Sequence, residues 1–270
     1  MAILQDAVGR LARDGKRFFT VKDLAQVLDV EPAKAHQVAF RLAKAGLATR
    51  LKRGTYALAP ADAWVEPGAA PTNWYETAAA LVAPAPYYLA YYTAMRLHRM
   101  TQHPLRTLFI AVPRPQRDVT IGPVRFQFVI LKEHRFFGYE DHLLEPGRMV
   151  KAADLERTFI DCVDRPDLSG GLEEILRGFK RRHAELNPDR LLRYLMKLRE
   201  PALTKRLGFL LELAGYGEPG VLRELERVAG RVKRYVPLDT TKLDRTGARN
   251  KRWELVINAD IDKLLEVGKT

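Results

Sequence analysis

The sequence predicts an α+β fold in two parts, and three observations carry that expectation. The first sixty residues divide into three short helix-forming stretches and a glycine-centred hairpin. An Ala/Pro-rich segment follows. Beyond it, strand-like stretches come first and helical ones later, the pattern of a small sheet with several helices packed to one side or end.

Composition bounds the rest. With 270 residues, 47% of them hydrophobic and 29% charged, the chain is expected to fold rather than remain disordered. The formal charge of +12 calls for an anionic partner such as nucleic acid, an acidic protein or an anionic surface. That charge sits at the two ends: 11 Lys and Arg against 5 Asp and Glu over 1–60, 12 against 13 over 61–170, and 22 against 15 over 171–270. A single cysteine, Cys162, excludes an internal disulfide and a cysteine-rich zinc site, which fits a reducing compartment and a cytoplasmic protein. No apolar run near the N-terminus has the form of a signal peptide. Thr77 to Met95 carries no charge and is long enough to span a bilayer, but Pro84 and Pro86 sit at its centre. Two soluble helices joined by a proline turn are predicted instead, with no membrane partner.

The N-terminal elements follow from local signals. Ile3 to Asp14 places apolar residues at 3, 4, 7, 8 and 11, a helical stripe ended by Gly15. Thr20-Val21-Lys22-Asp23 is a capping-box sequence that opens a second helix, VKDLAQVL, with Leu24 and Leu28 facing inward. Asp29 to Glu31 make a turn, Pro32 suits a first helical position, and PAKAHQVAFRLAKAG closes on Gly46 as a glycine just past the helix. The hairpin RLKRGTYAL (50–58) comes next. A turn centred on Arg53-Gly54 sets Leu51 opposite Tyr56 and Thr49 opposite Leu58, with Arg50 and Lys52 on the other face; Arg-Gly is not the preferred Asn-Gly pair, and a looser loop of three or four residues fits equally.

Three helices and a hairpin in this order predict a winged helix-turn-helix over residues 1–59. On its third helix Ala35, Ala39, Leu42 and Ala43 share a packing arc, while Lys34, Gln37, Arg41 and Lys44 share another. A solvated helix face explains that second arc by itself, and a solubilised turn explains the hairpin by itself. Their succession at winged-helix spacing points to double-stranded DNA. Lys34, Gln37 and Arg41 are then expected in the major groove, where Arg suits guanine and Gln adenine, with Lys44 on phosphate. Arg50, Lys52 and Arg53 are expected to carry the wing to the backbone or an adjacent minor groove.

Residues 60–72 are predicted as a linker and 73–270 as a larger mixed α/β domain. LRTLFIAVP (105–113) and VRFQFVIL (124–131) are predicted strands, with RPQRDVTIGP as the connection between them. Helices are predicted over Leu155 to Val163, Gly171 to Phe179, Arg190 to Leu198 and Val221 to Val232, and RWELVIN (252–258) as a strand returning to the sheet. Arg177, Lys180, Arg181 and Arg182 form one basic cluster, and KRY (233–235) with ARNKRW (248–253) another. Solvated faces, further DNA backbone contact and an acidic or RNA-bound partner all fit these.

Catalytic motifs are not signalled. The one serine, Ser169, has no GxSxG elbow, and the six histidines form no HExxH pair. GKT (268–270) lacks the preceding P-loop glycine, and PLDTTK (237–242) lacks a second acidic metal ligand at useful spacing. Glu173 and Glu174 sit at a predicted helix start, where the macrodipole favours them. A non-enzymatic protein with no catalytic residue, cofactor or metal site is the expectation.

Beyond these signals, the chain resembles the AbiEi antitoxin family of type IV toxin–antitoxin and phage-defence systems. The likeness rests on FTVKDLAQVL and HQVAFRLAKAGLATRLKRGTYAL in the first part. In the second it rests on PYYLAYYTAMRLHRM, FGYE (137–140), RTFIDCVDRPDLSGGLEEIL (157–176), KRLGFLLELAG (205–215) and LDTTKLDRTGARNKRWELVIN (238–258). The resemblance implies a winged helix that represses its own operon by binding inverted repeats at the promoter. It also implies a C-terminal domain that counters a nucleotidyltransferase-like toxin encoded next door, without requiring a stable complex. Alternatives are a stand-alone winged-helix transcriptional regulator and a metal-dependent defence nuclease.

Overall fold

Helix α1 (Ala2–Arg13) buries Leu4, Ala7, Val8 and Leu11, the stripe that its apolar spacing predicts. Gly15, at φ +65°, lets the Lys16 amide turn back onto the Leu11 carbonyl and so ends the helix. A computed structural model describes residues 2–59, 73–216, 218–230 and 234–266. The linker predicted at 60–72, the end of the helix predicted to Val232, Lys233 of the KRY cluster and the GKT at 268–270 lie outside the described residues.

Strand β1 (Phe18–Thr20) leads into α2 (Val21–Leu28) through the predicted capping box. The Asp23 amide donates to Thr20 Oγ1 at 3.1 Å, and the Thr20 amide donates to Asp23 Oδ2 at 2.8 Å. Burial alone would raise the Asp23 carboxyl, but the Thr20 hydrogen bonds and Lys16 hold it below the usual value. Asp29, left-handed at φ 52°, makes the turn into α3 (Pro32–Lys44). The hairpin β2 (Ala48–Lys52) and β3 (Thr55–Leu58) completes an antiparallel sheet in the order β1-β3-β2. Its Phe19 and Tyr56 are cross-strand partners with rings stacked 5.5 Å apart.

The hairpin corrects the predicted register. Arg53-Gly54 form the turn and Lys52 faces Thr55, but a bulge between Arg50 and Lys52 shifts the pairing, so that Arg50 faces Tyr56, Thr49 faces Ala57 and Ala48 faces Leu58. Leu51 is the extra residue. It is still buried together with Tyr56, because the bulge absorbs one residue without turning the apolar side chain outward. Helix α4 (Trp74–Val82) then packs on β2 and β3, with its first turn capped by Asn73. Residues 1–87 and 118–126 form the first of two compact units, in which Trp74 meets Phe126 at 6.2 Å.

The remaining strands in chain order are β4 (Tyr88–Leu89), β5 (Thr107–Val112), β6 (Val119–Ile121), β7 (Val124–Ile130), β8 (Tyr139–Glu145), β9 (Arg148–Ala153), β10 (Val236–Pro237), β11 (Ala248–Asn250) and β12 (Leu255–Ile257). The helices are α5 (Tyr91–Leu97), α6 (Leu155–Asp164), α7 (Gly171–Arg182), α8 (Pro188–Leu198), α9 (Pro201–Leu213), α10 (Pro219–Ala229) and α11 (Ile261–Glu266). Residues 88–117 and 127–270 make up the second unit. Strands β4 to β9 form one sheet in the order β6-β7-β5-β4-β9-β8, where β4 and β9 run parallel at Leu89 and Ala152. RWELVIN does not return to it. Its strand is confined to β12, which pairs with the sequence-near β10 and β11 in a separate three-stranded sheet. Trp253, before that strand, is instead buried in the helical core beside Leu207, Leu210 and Leu211.

That core packs α6 to α10, with Phe159 and Phe179 stacked at 3.9 Å. Helix α6 is buried along most of its length, including an ion pair of Arg157 Nε with Asp161 Oδ1 at 2.8 Å. Burial raises the Asp161 carboxyl to about 6, although Arg157 pulls the other way. Across the chain the architecture is mixed α and β, with an N-terminal three-stranded module followed by a larger part that holds the main sheet and most of the helices.

Candidate nucleic-acid interface

Helix α3 has one packed face and one bare one. Ala35, Val38, Ala39 and Leu42 are buried, and Ala43 is partly covered. Lys34, Gln37, Arg41 and Lys44 are all exposed, on a common arc opposite that core. Ala33, His36 and Phe40 are also exposed on this side of the helix, Phe40 with 65% of its surface accessible. Phe40 belongs to neither the packing arc nor the basic arc of the sequence pattern, and only the fold shows that its ring stays accessible.

The wing divides its cations. Arg50 and Arg53 are exposed. Lys52 is not: its ammonium donates to the Leu81 carbonyl at 2.8 Å and to the Ala83 carbonyl at 2.7 Å, at the C-terminal end of α4. Carbonyls left over at a helix end attract a cation, and Lys52 supplies it. Burial lowers the Lys52 pKa. The signal for this contact lay outside the hairpin, in a helix thirty residues downstream, so the local pattern of RLKRGTYAL could not reveal it. Gly54, at φ +73°, supplies the left-handed position that the tight turn requires.

Residues 6–59 match the family model of the transcriptional regulator AbiEi antitoxin, and residues 87–213 match that of the AbiEi antitoxin C-terminal domain. The chain belongs to the AbiEi antitoxin family. In this AbiEi protein the bare face of α3 and the wing both fall inside the regulator match, while LDTTKLDRTGARNKRWELVIN lies outside the C-terminal one. The fold is similar to that in the crystal structure of the RV2827C protein from Mycobacterium tuberculosis, with a TM-score of 0.72 over 99% of this chain and 94% of the other, at 20% identity. No curated protein matches the sequence.

Elsewhere in the AbiEi chain, cations of the C-terminal basic clusters are engaged within the fold. Arg177 pairs with Glu174 at 2.8 Å, Arg181 donates to the Met100 carbonyl at 3.0 Å, and Arg182 pairs with Glu185. Arg252 bridges Glu212 and Glu226, and Arg249 lies over the Tyr235 ring at 5.2 Å. Ser169 is buried and donates to the Arg165 carbonyl, so its hydroxyl presents no nucleophile to solvent. Among the described residues no group of three His, Cys, Asp or Glu side chains could hold a metal ion. No helix among them is long and apolar enough to cross a membrane, and Thr77 to Met95 takes in most of α4, the two residues of β4 and most of α5.

Proposed function

We propose that this AbiEi protein is a sequence-specific DNA-binding autorepressor whose C-terminal part counters a nucleotidyltransferase-like toxin. The observation that carries the DNA-binding reading is the bare arc of Lys34, Gln37, Arg41 and Lys44 in the regulator module, followed directly by a wing that exposes Arg50 and Arg53. In this reading Lys34, Gln37 and Arg41 enter the major groove of inverted repeats at the protein's own promoter, and Lys44 lies on phosphate. Arg50 and Arg53 carry the wing, while Lys52 fixes its position from behind. The functional division is residues 1–59 for DNA, 60–72 as linker and 73–270 for antitoxicity, the second part resting on the C-terminal family match. Neither role requires catalysis.

A gel shift on the DNA upstream of the protein's own coding sequence tests the first half. Binding is expected at low salt, and five exposed wing and helix cations set an upper limit of roughly −4.5 on the salt slope per bound copy. Absence of a shift at low salt overturns it. For the second half, co-expression of the full chain with the neighbouring toxin gene should restore growth, and persistent growth arrest despite soluble antitoxin overturns antitoxicity.

A further inference from the structure

Phe40 is an anomaly on the face just described. A phenylalanine left 65% accessible keeps most of its ring in water, and no neighbour on its own helix covers it. It does not stand at the margin of the bare face. Ala33, Gln37, Phe40 and Lys44 succeed one another at helical steps of four, three and four residues, which makes a single ridge along the exposed side. Lys34 and Arg41 flank that ridge on one side and His36 on the other. The ring therefore sits inside a cationic surface, between an amide and an ammonium.

A partner for this ridge must be anionic yet offer an apolar atom at one position. Duplex DNA meets both requirements. Among the base edges in its major groove, the apolar group is the thymine C5 methyl, and a phenylalanine is one of the side chains suited to it. We propose that Phe40 is a specificity-determining residue that packs on thymine methyl groups in the major groove, so that the operator carries thymine next to the base that Gln37 recognises. This rests on the DNA-binding reading above and adds to it a base preference carried by an apolar contact.

The experiment compares the upstream fragment synthesised with thymidine and with deoxyuridine, which differ only in that methyl group, using full-length protein. The wild type is expected to bind the deoxyuridine duplex about fourfold more weakly for each methyl contacted. Phe40→Ala is expected to bind the thymidine duplex more weakly by a similar factor, to treat both duplexes alike, and to keep the wild-type salt slope. Phe40→Leu should recover part of the thymidine preference. Equal wild-type affinity for the two duplexes overturns the proposal, as does a Phe40→Ala protein that still prefers thymidine. If sedimentation shows that Phe40→Ala changes the oligomeric state while both proteins ignore the methyl group, the ring is a contact between copies and the proposal fails. A wild type that binds neither duplex at low salt overturns the DNA-binding reading itself, and this inference with it, an outcome distinct from equal binding to both.

Discussion

Lys52 and Ala83 are joined by a 2.7 Å hydrogen bond from the lysine ammonium to the alanine carbonyl, which ties the wing to the end of α4. A second bond, to the Leu81 carbonyl, makes Lys52 a helix cap as much as a wing residue. The wing cations are therefore not equivalent. Lys52→Met should lower stability by about 1–2 kcal/mol, the usual worth of hydrogen bonds from a charged group at a half-buried site. Urea denaturation measures this, and the salt slope of DNA binding should stay near that of the wild type. Arg53→Gln should show the reverse: unchanged stability, with a slope flatter by about one unit. Equal effects of the two substitutions on the slope would mean that Lys52 leaves its carbonyls to reach phosphate.

Gly208 and Trp253 give a second prediction. A Cβ placed on Gly208 would lie 2.2 Å from the indole ring, far inside van der Waals contact. Alanine for glycine inside a helix ordinarily gains about 1 kcal/mol. Here the overlap dominates, because Trp253 is buried and its indole nitrogen is held by Glu212 at 2.6 Å. Gly208→Ala is expected to destabilise by about 3 kcal/mol. In a Trp253→Leu background, itself destabilised by loss of the indole, Gly208→Ala should cost less, since the smaller side chain makes room for the methyl. Additive losses in the cycle would show that the clash is not the cause.

How much of this was legible in the sequence depends on where each signal resides. The capping box of α2, the glycine stops of α1 and α3 and the two faces of α3 were legible because each depends on neighbours within a few residues. The bulge at Leu51 was not, since a strand pattern shows which residues are apolar but not where one is inserted. Strand β1 is three residues long, too short to display a period. Helix α9 escaped for the opposite reason: burial runs past the stripe of Leu203, Leu207, Leu210 and Leu211 to Thr204, Lys205, Gly208 and Phe209, so no polar face sets the stripe off. The β8–β9 hairpin begins with YEDHLLE, whose charges conceal an edge strand. At the interface, the cationic arc was visible as a helical pattern, whereas the engagement of Lys52 depends on a helix brought to it only by folding.

The buried pair in α6 yields a third prediction. Arg157→Met removes one partner and leaves Asp161 without its counter-ion in a site closed to water, where it must either carry a buried charge or take up a proton, since Arg157 is what holds its already raised carboxyl down. Breaking such a pair costs about 3–5 kcal/mol, more than the pair itself contributes, because the orphaned charge has no solvent. Replacing both residues, as Arg157→Met with Asp161→Leu, should be markedly milder than Arg157→Met alone. Thermal or urea denaturation of the three proteins decides the matter, and a double variant as unstable as the single one would count against the ion pair as the source of the loss.

His98 and His142 contribute to the pH dependence of the second unit. Their rings meet edge to face at 5.8 Å, and His98 Nε2 lies 2.7 Å from the Ala153 carbonyl. A neutral imidazole that donates its proton to that carbonyl fits the geometry. Burial depresses the His98 pKa below 6.5, partly offset by the carbonyl, and Arg182 lowers it further while Glu140 and Glu156 oppose. His142 is depressed by burial and by His98. The folded state thus binds these protons less tightly than the unfolded chain does. Stability from these histidines is fully present above pH 6.5, begins to fall as the unfolded histidines protonate, and is lost as pH drops through the depressed folded values. In urea midpoints at pH 7.5 and 5.5 these rings favour the higher pH, against Asp161, whose carboxyl raised to about 6 favours the lower. His142→Gln should therefore shift the difference between the two midpoints toward the lower pH by removing one titrating ring, and a difference that it leaves unchanged would assign the pH effect to other groups.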